Sequence, residues 1–254
     1  MHEINIMYIY RGRRLLYKQN LLMFFRSILF YTLLSFWTIF MGLLCLPFLI
    51  LPSSYLQHPV RIWIGGIFFF LKYICQISHE IQGQEHIPSH AVLVASKHQS
   101  AFETFALFYY LPQAIFIHKK QLFWIPIFGQ YLKKINMISI DRKGGASTMR
   151  LLLKQTREKV DLGFSIIIFP EGTRKRPGDA PDYKSGFVGI YKEMNTEILP
   201  VAVNSGKCWP KHTFIKKAGH IIIKILPLLE ANIDRKKILS DVEKKIEEAT
   251  NKII

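Results

Sequence analysis

Ala91-Val92-Leu93-Val94-Ala95 runs directly into Ser96-Lys97-His98-Gln99-Ser100-Ala101-Phe102-Glu103-Thr104. A short unbroken apolar run followed by polar residues reads as a buried strand ending at a turn. The strand delivers a histidine, and a carboxylate follows it at position 103. On one continuous helix these two side chains would face different directions, so a contact between them needs His98 at the strand-to-helix turn and Glu103 in the helix that follows. An imidazole titrates near ~6.5, and a carboxylate on one ring nitrogen fixes the tautomer that leaves the other free to accept a proton. The pair then reads as a general base and its orienter. Taken alone, the same stretch also reads as a helix cap beside a solvated carboxylate.

Outward from this turn the chain alternates. Strand-like runs fall at Ala114 to His118, Met137 to Ile140, Ser165 to Phe169, Ile198 to Val203 and His220 to Leu226. Helix-like stretches separate them, which predicts an α/β fold with a largely parallel sheet flanked by helices. The clearest helix is Ala146 to Leu162, whose Met149, Leu152, Leu153, Thr156 and Val160 share a face and whose end is marked by Gly163. A second runs from Asp234 to Lys252, with Ile238, Val242, Ile246, Ala249 and Ile253 on its apolar side.

Phe169-Pro170-Glu171-Gly172-Thr173-Arg174 follows one of the buried strands. With the His98 stretch it resembles the glycerolipid acyltransferase family, specifically the 1-acylglycerol-3-phosphate O-acyltransferases, which carry His-x-x-x-x-Asp and Phe-Pro-Glu-Gly-Thr-Arg blocks. Here Glu103 stands in place of the aspartate, one methylene longer. Lys119-Lys120-Gln121-Leu122 through Ile125-Pro126 and Gly129 to Arg142 resembles the family's second block, with Gln121 where an acidic residue is common. Ile198 to Val203, with Pro200 as a shaping residue, resembles the fourth, so the resemblance spans roughly residues 80 to 205.

The resemblance implies a catalytic pair, His98 and Glu103, and a substrate-binding set of Lys119, Arg142, Glu171, Gly172, Thr173, Arg174 and Lys184. Arginine holds two phosphate oxygens with its planar fork, and Gly172 lets the backbone approach a ligand. Glu171 is open to three readings: accepting from a substrate hydroxyl, pairing with an arginine, or ordering its loop. The implied reaction moves a fatty acyl chain from acyl-CoA or acyl carrier protein to the free hydroxyl of 1-acyl-sn-glycerol 3-phosphate (lysophosphatidic acid), giving phosphatidic acid. Ser100 is no nucleophile, since no Gly-x-Ser-x-Gly elbow exists. A related acyltransferase for glycerol 3-phosphate, another lysophospholipid or a lipid A precursor stays open, as does an inactive membrane-binding protein. No cofactor is expected beyond the acyl donor as co-substrate.

Composition agrees with a lipid partner. The chain has 254 residues, 50% of them hydrophobic, and a formal net charge of +16, which points to anionic partners. No arginine-rich helix, zinc-finger spacing or aromatic RNA-binding signature is present, which argues against nucleic acid. Cys45, Cys75 and Cys208 lie in apolar surroundings without paired spacing, arguing against disulfides and a metal site.

From Ser27 to Val60 there is no charged residue, and Ser27 to Leu51 exceeds the ~20 apolar residues that cross a bilayer core. The run is too long for the apolar region of a signal peptide. Arg11, Arg13, Arg14, Lys18 and Arg26 put the preceding flank on the cytoplasmic side, and Ile62 to Ile77, with Gly65-Gly66 for close packing, supplies a return. Residues 21 to 78 therefore read as a two-helix membrane hairpin, spanning or half-embedded, and the family resemblance implies an active site on the cytoplasmic face. The expected division is 1–82 for the basic flank and anchor and 83–254 for the catalytic domain.

Overall fold

Two helices lead into the sheet. The computed structural model describes residues 2–141, 144–231 and 234–254, and side chains from Tyr17 onward except that of Arg235. Helix α1 (His2–Leu44) ends where Pro47 and Pro52 break the chain around a 3-10 turn, Leu46–Leu49, and α2 (Ser54–Tyr73) returns alongside it. The αβ body follows as β1 (Ile77–Gln82), β2 (Leu93–Ser96), α3 (Phe102–Tyr110), β3 (Ala114–Lys119), α4 (Phe128–Lys134), β4 (Ile138–Ile140) and α5 (Gly145–Asp161). It continues with β5 (Ser165–Ile168), α6 (Gly186–Met194), β6 (Ile198–Val203), β7 (Gly219–Ile225) and α7 (Arg235–Ile253).

The seven strands form one sheet in the order β1-β7-β6-β2-β5-β3-β4. Every neighbouring pair is parallel except β6 and β7. The expected α/β class and largely parallel sheet are observed. Successive side chains alternate between faces: Val94, Phe116, Ile167, Leu199 and Val201 pack toward α1, α2 and α3, while Leu93, Ala95, Ile115, Ile166 and Ile198 pack toward α5, α6 and α7. Helix α5 closes with Gly163 at φ 82°, and the bonds Gly163 N to Val160 O and Phe164 N to Lys159 O cap its last turn.

The strand that sequence reading missed is β1. Ile77–Gln82 lies on the anchor side of the expected boundary at 82, yet pairs with β7 at the sheet edge. An edge strand with Ser78, His79 and Glu80 in its middle carries no apolar run, so its pattern is that of a polar linker.

The N-terminal helices also depart from expectation. Among the described residues one helical stretch, Tyr17–Leu44, is long and apolar enough to cross a membrane. Helix α2 is instead largely a core helix, burying Leu56, Ile64, Ile67, Phe68 and Leu71. Along α1, Ser27, Phe30 and Met41 are buried, as is Cys45 just past its end, with Leu34 and Trp37 packed beside them. Those positions form a stripe at helical spacing, so α1 is seated lengthwise on the domain. The Trp37 indole donates to Trp63 O at 2.9 Å, and Gly66 leaves room for that ring where any Cβ would collide with it. Close packing at the Gly65-Gly66 pair thus falls to Gly66.

A lysine fastens the other end of this seam. The Lys216 backbone N–H donates to Ser27 Oγ at 2.8 Å, and its Nζ donates to Thr213 O and Phe214 O at 3.2 and 3.0 Å. The ammonium lies 4.8 Å from the Tyr31 ring centre and 5.0 Å from that of Trp209. Burial draws its pKa down to about 8.

Candidate active site

The carboxyl ends of β2, β3 and β5 deliver the site residues to one edge of the sheet, where open α/β sheets place their ligands. His98 leaves β2 in a tight turn, and Glu103 is the second residue of α3. His98 Nδ1 lies 2.8 Å from Glu103 Oε1. The same oxygen accepts from the backbone N–H groups of Gln99 and Ser100 at 2.6 and 2.7 Å. Oε2 accepts from the hydroxyls of Ser100 and Ser205 at 2.9 and 2.6 Å.

Glu103 is fully buried. Burial alone would push its carboxyl up, but the His98 hydrogen bond and charge, with the Ser205 and Ser100 donors, hold it below the usual carboxylate range. An ionised carboxylate accepts only, so Nδ1 carries a proton, and in the neutral ring it is Nε2 that presents the lone pair. The His98 ring stacks on Phe169 at 3.8 Å between centres, and Phe169 stacks on Phe116 at 6.0 Å. The imidazole is therefore fixed by a carboxylate at one edge and a ring on one face.

The Phe169–Arg174 loop is tied to this turn from both sides. Glu171 Oε2 accepts from the His98 backbone N–H at 3.1 Å, and Lys175 N donates to His98 O at 2.8 Å. Glu171 Oε1 accepts from Lys97 Nζ at 2.7 Å, and Lys97 also reaches Glu247 Oε1 of α7 at 2.7 Å. Burial raises the Glu171 pKa, with Lys97 and the His98 N–H opposing. Both its oxygens are occupied and it has no exposed surface, so the structure moves Glu171 from the binding surface to the support behind it.

The remaining expected residues divide. Gly172 holds φ 64°, a conformation that favours glycine, and Thr173 Oγ1 accepts from Lys211 Nζ at 3.2 Å. Arg174 is half-buried and makes no ion pair with a described residue, and Lys119 is exposed at the end of β3. Lys184 turns to Asp182, with Nζ contacts of 2.6 and 2.7 Å. Arg142 lies outside the described residues. No cluster of potential metal ligands occurs among the described residues.

Beside this edge, between α1, α2, α3 and the segment entering α4, lies an apolar cavity of about 370 Å³. Phe116 is part of its wall, so two stacked rings separate the cavity from His98.

The model of the family described as Acyltransferase matches residues 78–204. A 1-acyl-sn-glycerol-3-phosphate acyltransferase of Pseudomonas aeruginosa is 30% identical over 225 residues, covering 87% of each chain. The chain belongs to the acyltransferase family. A human 1-acyl-sn-glycerol-3-phosphate acyltransferase alpha is 24% identical over 75% of this chain and 68% of its own. The crystal structure of the 1-acyl-sn-glycerophosphate (LPA) acyltransferase PlsC from Thermotoga maritima superposes with a TM-score of 0.75 over 90% of this chain and 95% of that one, at 20% identity. That likeness shows the shared fold.

In this acyltransferase, four supporting residues escaped the sequence reading: Lys97, Ser205, Lys211 and Glu247. Lys97 carries a weak signal, a lysine directly after an apolar strand where burial demands a partner. The others reach the site only through tertiary folding.

Proposed function

We propose that this acyltransferase transfers an acyl chain from a thioester donor to the free hydroxyl of 1-acyl-sn-glycerol 3-phosphate, with His98 as general base. The observation that carries the reading is His98 Nδ1 held 2.8 Å from a buried, ionised Glu103. His98 Nε2 takes the hydroxyl proton as the oxygen attacks the thioester carbonyl, and the C–S bond breaks as the ester C–O bond is retained. The proton then passes from His98 to the departing thiolate. Glu103 stabilises the imidazolium in between. Glu103 in place of aspartate still meets the histidine, which favours an enzyme over an inactive lipid-binding protein.

Arg174 and Lys119, with Arg142 from the motif, would hold the phosphate, and Gly172 would admit it to the loop. Lys184 would exchange Asp182 for the ligand. The apolar cavity would take an acyl chain, its lining suiting methylenes and little else. Acyl-CoA and acyl carrier protein are both compatible donors.

We read the N-terminal helices as a half-embedded anchor. The stretch of α1 apolar enough to cross a bilayer is seated lengthwise on the catalytic domain, while Phe36, Ile39, Phe40 and Leu43 point outward. A helix so placed lies in one leaflet with its domain on the same side. The site then stays on the cytoplasmic face, where thioester donors are found, without a second crossing.

The deciding experiment is an acyl-transfer assay in membranes with both donor types and a panel of lysophosphatidic acid, glycerol 3-phosphate, other lysophospholipids and lipid A precursors. Consumption of lysophosphatidic acid with formation of phosphatidic acid supports the reading. Preference for another acceptor reassigns the substrate, and no transfer to any overturns it.

A further inference from the structure

The segment Lys119–Pro126, between β3 and α4, exposes Lys119 and Lys120 and then Leu122, Trp124 and Ile125. Trp124 is 74% exposed and Ile125 45%. Single exposed apolar residues are ordinary, but three within four positions, one of them an indole with no ring partner among the described residues, form a surface that water solvates poorly.

The segment lies next to α1. Just beyond it Ile127 packs beside Gly42, and Tyr131 Oη donates to Gly42 O at 2.6 Å, which sets the segment at the flank of α1, beside the outer face that carries Ile39 and Leu43. Leu122 and Ile125, like Ile39 and Leu43 of α1, both line the apolar cavity and reach the surface. Residues with both properties mark a mouth, and this one is apolar on each side. The two lysines precede the apolar residues, as cations at headgroup level precede an indole at the lipid interface.

We propose that Lys119–Pro126 is a second membrane-contacting element, in which Leu122, Trp124 and Ile125 enter the apolar layer of an anionic bilayer at the cavity mouth. The proposal rests on the reading of the cavity and of α1 as lipid-binding. It opens the cavity to the bilayer interior, so an acyl chain slides between lipid and protein without crossing water. Lys120, next to the Lys119 assigned to the substrate phosphate, holds the segment at the anionic headgroups.

The test is a full-length chain carrying an environment-sensitive fluorophore on one introduced cysteine, in phosphatidylcholine–phosphatidylglycerol vesicles with a spin-labelled lipid quencher. The native Cys45, Cys75 and Cys208 are buried and shielded from labelling. Ile125→Cys is the test position, with Trp124→Cys as a second. Phe36→Cys on the outer face of α1, 67% exposed, and Leu162→Cys after α5, 66% exposed, are the lipid and water controls. The expected result is a blue shift and quenching at 125 comparable to that at 36, with neither at 162. An aqueous signal at both 124 and 125 with quenching at 36 overturns the proposal and leaves the α1 reading standing. An aqueous signal at 36, 124 and 125 overturns both. Quenching at 125 that is as strong in pure phosphatidylcholine overturns the part given to Lys120.

Discussion

Ser205 Oγ donates to Glu103 Oε2 at 2.6 Å, joining the turn after β6 to the first turn of α3 across 102 positions of sequence. The longer side chain of glutamate, compared with aspartate, carries its second oxygen to that hydroxyl while the first still meets His98. Ser205→Ala should lower kcat and leave both KM values nearly unchanged, since the lost bond orients the base rather than binding substrate. Hydrogen bonds to charged groups contribute roughly 1.5–3 kcal/mol, so a loss of about ten- to a hundredfold is expected. Ser205→Thr should recover most of it. A matching rise in KM would mean that the site itself had collapsed.

His98→Ala should reduce transfer per folded molecule by at least ~100-fold, with a smaller fall in the urea unfolding midpoint than Lys97→Met, because the imidazole is only 16% exposed but buried Glu103 keeps its Gln99, Ser100 and Ser205 donors. Among Glu103 variants, Gln should be worse than Asp, which keeps the charge that stabilises the imidazolium. Steady-state rates on membranes, with unfolding followed by circular dichroism, check both.

Lys97→Met should be the most destabilising of the site variants. It leaves Glu171 and Glu247 facing each other without their shared cation, and breaking a buried pair costs about 3–5 kcal/mol. Denaturant unfolding measures this directly. A change below ~1 kcal/mol, the range of exposed pairs, would show that the pair contributes little.

Arg174→Ala should raise the apparent KM for the phosphorylated acceptor well above that for the acyl donor, because the missing contact is with phosphate. Arg142→Ala should do the same by the motif it closes. Equal effects on both substrates would point to damage at a shared step.

Lys216 gives stability a pH dependence of known sign. Its folded pKa, about 8, lies below the ordinary 10.5. Between these values the unfolded chain holds the proton and the folded chain does not, so stability rises with pH across that window. Below about 8 both states are charged and the penalty is constant. Lys216→Met should remove this rise, comparing unfolding midpoints at pH 7.5 and 10 (values chosen to bracket roughly that window).

Much of this architecture is legible in the sequence because strands buried on both faces leave unbroken apolar runs, as in Ile198 to Val203, whose bounds coincide with β6. The contact of His98 with Glu103 is legible because the two residues are five positions apart. The edge strand β1 is hidden by its polar middle. Sequence leaves the role of Glu171 open because a loop carboxylate facing solvent and one facing Lys97 look identical in one dimension. Helix α2 was taken for a membrane helix because core and lipid select the same side chains, and only the packing of Ile64, Ile67 and Leu71 tells them apart.

The contact between Lys97 and Glu247 spans 150 positions and ends on α7, the last described element to leave a ribosome. His98, Glu103 and the Phe169–Arg174 loop are all synthesised earlier, when Lys97 has only Glu171 to neutralise it. The loop beneath the His98 turn is therefore braced late, once the last described helix is in place, so the rigidity of the site matures after its residues have been made.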